Sequence, residues 1–125
     1  MALQTFEDLE VWKRGCRLAV DVCVATDDRR PYELARQMQR AAISVPSNIA
    51  EGSERDSDGD FIRFLRISKG SCGELRTQLY IAKRVAQCLQ ATPINNQDNL
   101  IEETKAISAM LQKLIQSIHQ RSNTE

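Results

Sequence analysis

At 125 residues the chain is sized for a single domain, 1–125, large enough to bury a core without a metal or disulfide staple. Its 17 Lys and Arg balance 17 Asp and Glu, which excludes a protein that coats nucleic acid by bulk charge but leaves room for a local basic edge. Apolar residues at 42% and charged residues at 27% place it among globular rather than disordered chains, and 5 Gly with 3 Pro leave few positions for phosphate loops.

The first predicted helix covers about residues 8–25. Leu9, Trp12, Cys16, Ala19 and Cys23 alternate spacings of three and four, the seam of a bundle helix. A second stripe, Val11, Gly15, Leu18, Val22 and Ala25, runs beside it. One apolar face suffices inside a bundle, so Val11, Leu18 and Val22 are expected at an interface with another subunit. A polar break then leads to Pro31, which suits the first turn of a helix over 31–51. Leu34, Met38, Ala41, Val45 and Ile49 share its apolar face, and Pro46 predicts a kink or break near Ser44 and Val45. Gln37, Ser44, Asn48 and Glu51 make a polar stripe beside that face. The stripe reads either as a hydrogen-bonded structural network or as the lining of a ligand site or channel.

Residues 52–59 are rich in turn formers and predict an exposed loop, with Ser57 or Asp58 as the cap of the next helix. That helix, 58–90, has the most regular pattern: Phe61, Leu65, Ser68, Cys72, Leu75, Leu79, Ala82, Ala86 and Leu89 follow a coiled-coil seam. Gly70 and Gly73 interrupt it at a cost of about 1 kcal/mol each relative to Ala, a cost that close approach of another backbone would justify. The fourth helix is predicted over 97–119, with Ile101, Thr104, Ser108, Leu111, Ile115 and Ile118 on its seam, widened by Leu100, Ile107 and Leu114; residues 120–125 are expected to fray. Four helices and short connections predict an all-α, antiparallel up-down-up-down bundle.

Chemistry-bearing motifs are sparse. The chain has no phosphate loop, dinucleotide fingerprint, zinc-protease motif or nucleophile elbow. Its single histidine, His119, has no partner set by spacing, and the Glu-x-x-His pairs of di-iron bundles are missing. No catalytic residue, metal or cofactor is therefore expected, and the chain reads as a non-enzyme. Cys16, Cys23, Cys72 and Cys88 form no C-x-x-C pair, and the opening residues show no secretory pattern; reduced thiols and a cytoplasmic location follow as expectations. No apolar run approaches the ~20 residues of a membrane span, so no membrane partner is expected. Residues 57–91 hold six basic against three acidic side chains. Arg66, Lys69, Arg76 and Lys83 fall on one flank and, with Arg63, form a candidate RNA-binding edge, the alternative being a solvated face paired with acidic neighbours.

Residues Arg40 to Gly52 (RAAISVPSNIAEG), Phe61 to Leu75, Thr77 to Leu79 and the opening Leu9 to Lys13 resemble the four-helix bundle proteins encoded in intervening sequences of bacterial 23S ribosomal RNA genes. The resemblance spans about residues 6–90 and carries no catalytic residues with it. It implies a homopentamer, a barrel with a central channel. That family is similar in turn to the accessory variability protein of diversity-generating retroelements, which implies binding to a reverse transcriptase and nucleic acid. The expectation is a non-enzymatic, self-assembling scaffold or interaction module whose partner is itself. The alternative is an accessory protein that binds RNA or a ribonucleoprotein, associated with a reverse transcriptase or with rRNA.

Overall fold

Helix boundaries fall where side chains or backbone angles stop the ladder. A computed structural model of the chain describes residues 5–124, so Met1 to Gln4 and Glu125 of the expected domain lie outside the described residues. A 3-10 turn, Phe6–Asp8, precedes four helices: α1 Glu10–Ala25, α2 Tyr32–Ser53, α3 Asp58–Leu89 and α4 Gln97–Thr124. No strand occurs among the described residues. α1 stops at Thr26, whose hydroxyl donates back to the Val22 carbonyl at 2.7 Å and accepts from Gln39 Nε2 at 2.9 Å. Pro31 stands just before α2, where its missing N–H costs nothing. Ser57 caps α3 by accepting the Asp60 N–H at 3.1 Å. Gln90 ends α3 in the left-handed region at φ 54° and ψ 39°.

Each helix packs on the next, and α4 closes back onto α1 to complete a four-helix bundle in which α1 and α3 stand diagonally apart. Partners on neighbouring helices run in opposite numerical order: Arg66 meets His119, Lys69 meets Gln112, Arg76 meets Thr104, and Lys83 meets Asp98. The core is filled by Leu18 and Val22 of α1, Met38, Val45 and Ile49 of α2, Leu65, Leu75 and Leu79 of α3, and Ile107, Leu111 and Ile118 of α4. Burial of this many large apolar side chains is the main driving force, roughly 1.5–3 kcal/mol for each fully buried one.

Four expectations are corrected. Val11, Leu18 and Val22 are 5%, 1% and 0% exposed, so they belong to the bundle's own core and cannot face another subunit. The neighbouring stripe, Leu9, Trp12, Cys16 and Cys23, is only half-buried. The break expected near Ser44 and Val45 does not occur: α2 is helical through Pro46, which is buried against Gly15 of α1, where an added Cβ would stand 3.4 Å from Pro46 Cβ. The proline is thus held by a matching gap, and Ser68 Oγ donates to the adjacent Val45 carbonyl at 2.8 Å. Leu89 is 66% exposed because it reaches past the seam to the 29–31 connection, where it lines a cleft with Arg29, Arg30 and Pro31. α4 does not fray at 120 but continues to Thr124, tied to the start of α3 by Arg121 Nη2 on Asp58 Oδ1 at 2.9 Å.

Candidate functional site

The structure divides the basic edge of α3 into two kinds of residue. Arg63 Nε lies 3.7 Å from Asp60 Oδ1, with its guanidinium 4.5 Å above the Phe64 ring, and Lys83 Nζ lies 3.2 Å from Asp98 Oδ1. These two cations are locally neutralised. The other three meet partners on α4 that are not carboxylates. Arg66 Nη2 is 3.4 Å from His119 Nε2, Lys69 Nζ donates to Gln112 Oε1 at 2.8 Å, and Arg76 Nε donates to Thr104 Oγ1 at 3.0 Å. Among the described residues no carboxylate stands within ion-pair distance of these three. Arg66, Lys69 and Arg76, with Gly70, Gly73, Ser108 and Gln112, line an open groove of about 480 Å³ between α3 and α4. A Cβ on Gly70 or Gly73 would meet nothing within 4 Å, so no part of this chain needs either glycine to be small.

The polar stripe of α2 separates in the same way. Ser44 Oγ is 2.8 Å from Ser71 Oγ of α3, and Asn48 Nδ2 donates to both the carbonyl and the hydroxyl oxygen of Ser44 at 2.8 Å. Those residues form a network that joins α2 to α3. Gln37 and Glu51 stand outside it: Gln37 Nε2 donates to Glu33 Oε1 at 3.3 Å, and Glu51 pairs with Arg55 at 2.8 Å, both on the exposed face of α2. On the other side of the bundle, Arg14 grips Glu103 with two bonds, Nε to Oε2 at 2.9 Å and Nη2 to Oε1 at 2.6 Å, linking α1 to α4. This bidentate bond pushes the Arg14 pKa further up, against the opposing effect of burial.

An apolar groove of about 640 Å³ opens on the C-terminal half of α3, lined by Thr77, Tyr80, Ile81, Arg84, Val85, Cys88 and Leu89. Spacing on the seam did not reveal it. The available signal was Ile67 and Ile81, about four helical turns apart and off the seam, both exposed. Burial pushes the Cys72 thiol up to about 11, which leaves it protonated and inert; Cys88 is the exposed thiol. Among the described residues no group of three or more His, Cys, Asp or Glu converges as a metal site, and no helix is long and apolar enough to cross a membrane.

These features define a small four-helix bundle that carries a basic groove and an apolar groove on its outer surface. A family model described as 23S rRNA-intervening sequence protein matches residues 7–113, and the chain belongs to that family. Among curated proteins, none matches it.

Proposed function

We propose that the chain is a non-enzymatic scaffold or interaction module, an antiparallel up-down-up-down bundle that assembles with copies of itself into a barrel-like homopentamer in the cytoplasm. The observation that carries this reading is the apolar surface left open on α3, where Tyr80, Ile81 and Leu89 are 47%, 46% and 66% exposed. Large apolar side chains clustered beside polar ones, here Thr77 and Arg84, mark association surfaces. α1 carries a separate apolar spot, with Val20 and Val24 exposed to 60% and 73%. Because α1 and α3 are diagonal, the two spots belong to different sides of the bundle. Two unlike faces on one chain favour a head-to-tail contact, which closes into a ring when the rotation allows. The number five comes from the family resemblance, and the non-enzymatic reading from the missing motifs and the solitary His119.

Light scattering tests the assembly. Five chains of 14.2 kDa give about 71 kDa, a mass expected to hold from low to high salt because apolar contacts are barely screened. The double variant Ile81→Glu/Leu89→Glu is expected at the mass of one chain. A wild-type protein that scatters as 14.2 kDa in every condition overturns the reading.

A further inference from the structure

We propose that the groove between α3 and α4 binds the phosphodiester backbone of a single nucleic-acid strand, gripped by Arg66, Lys69 and Arg76 over a floor made by Gly70 and Gly73. This goes beyond self-assembly and does not depend on it, since the groove and the apolar surface share no residue.

Charge is the first argument. Of the five cations on the basic edge of α3, Arg63 and Lys83 have a carboxylate beside them, whereas the three in the groove have none within ion-pair distance and keep their charge uncompensated. Geometry is the second. Thr104 is fully buried and spends its own proton on the Ile101 carbonyl at 2.6 Å, so its oxygen must accept from Arg76 Nε. That bond holds the Arg76 side chain in place while leaving its two terminal nitrogens for a ligand oxyanion. Lys69 is steadied likewise by Gln112. Side chains held before the ligand arrives lose less freedom on binding.

The glycines supply the third argument. Glycine weakens a helix interior relative to alanine, and nothing within 4 Å in this chain requires Gly70 or Gly73. Their bare backbone forms the floor beside the three cations, where a sugar-phosphate chain can lie close to the helix axis. Arg66 and Arg76 are separated by about 15 Å of helix, room for several phosphates in a row. No aromatic side chain lines the groove, so bases have nothing to stack on and binding is independent of sequence.

The test is fluorescence anisotropy of the full chain with labelled oligouridine and oligothymidine of about twelve nucleotides, titrated at several salt concentrations. Three phosphate contacts on a single strand predict a log–log salt slope of about −2, or about a 20-fold loss of affinity between roughly 50 and 200 mM salt. Each of Arg66→Gln, Lys69→Gln and Arg76→Gln is expected to take about 0.7 from that slope. Arg63→Gln and Lys83→Gln, whose cations are already paired, are expected to leave affinity within about twofold. Gly70→Leu/Gly73→Leu places on the floor side chains whose Cβ atoms meet nothing within 4 Å; it is expected to keep the helical circular-dichroism signal while weakening binding at least about tenfold. Equal binding of the two oligomers identifies the phosphodiester alone as the ligand, and a preference for oligouridine adds a contact to the ribose hydroxyl; both support the site. No binding by wild-type protein at the lowest salt overturns the proposal. So does a triple Gln variant that binds as wild type, or displacement of the strand by polyaspartate at equal charge.

Discussion

A Cβ built on Gly52 would fall 2.7 Å from Phe64 Cβ, 3.1 Å from Phe61 Cδ1 and 3.2 Å from the Phe61 carbonyl oxygen. Those atoms belong to the first turns of α3 and cannot swing aside, so the end of α2 would have to move. Gly52→Ala is expected to destabilise by about 1–2 kcal/mol, an overpacking cost that outweighs the gain in helix propensity. Gly70→Ala, in open space, keeps only that gain and should raise stability. Urea denaturation of both variants checks the pair, and equal shifts would contradict this packing. Cys72 makes a pH-dependent prediction of the same local kind. An unfolded thiol ionises near 9.0, whereas burial raises the folded value to about 11. Between these values the unfolded chain releases a proton that the folded chain retains, so stability contributed below pH 9.0 is lost as pH climbs toward about 11. The loss amounts to at most about 3 kcal/mol. Because other groups titrate in the same window, the readout is the difference in unfolding free energy between wild type and Cys72→Ala. That difference should narrow from pH 9 to 11.

At the scale of the element, α3 ends on a residue poorly suited to its angle. Gln90 adopts φ 54°, a left-handed conformation that costs a β-carbon-bearing residue about 1 kcal/mol and glycine little. Gln90→Gly is expected to stabilise by about 0.5–1 kcal/mol, read from the thermal midpoint, with the greater freedom of glycine in the unfolded chain subtracting part of the gain. Spacing and caps made the helices themselves legible: Ser57 caps α3 and the seam from Leu65 to Ala86 is buried. Spacing could not choose between the two stripes of α1, because both repeat at three and four. Val11, Leu18 and Val22 enter the core through contacts with α2 and α4 that no local pattern encodes. The same gap governs the site. Four basic residues on one flank of α3 are visible in the chain, but Lys83 is neutralised by Asp98 and Lys69 is not, because α4 sets Asp98 opposite one and Gln112 opposite the other. Helix register across the α3–α4 contact, rather than composition, decides which cations stay available.

At the scale of the whole molecule, an assembling bundle and a solitary one differ in how stability depends on concentration. If Tyr80, Ile81 and Leu89 are covered by a second copy, folding and association are linked, and mass action favours the folded state as protein concentration rises. Cutting the concentration by about a hundredfold should then lower the thermal midpoint by several degrees, since each factor of ten in association is worth about 1.4 kcal/mol per binding step. Ile81→Glu/Leu89→Glu should abolish that dependence without weakening the core, because neither side chain belongs to the buried core of one chain. The variant's midpoint should therefore match the low-concentration limit of wild type rather than fall beneath it. A wild-type midpoint that is independent of concentration would mean that the apolar surface of α3 stays uncovered at these concentrations, and that self-assembly is not its purpose.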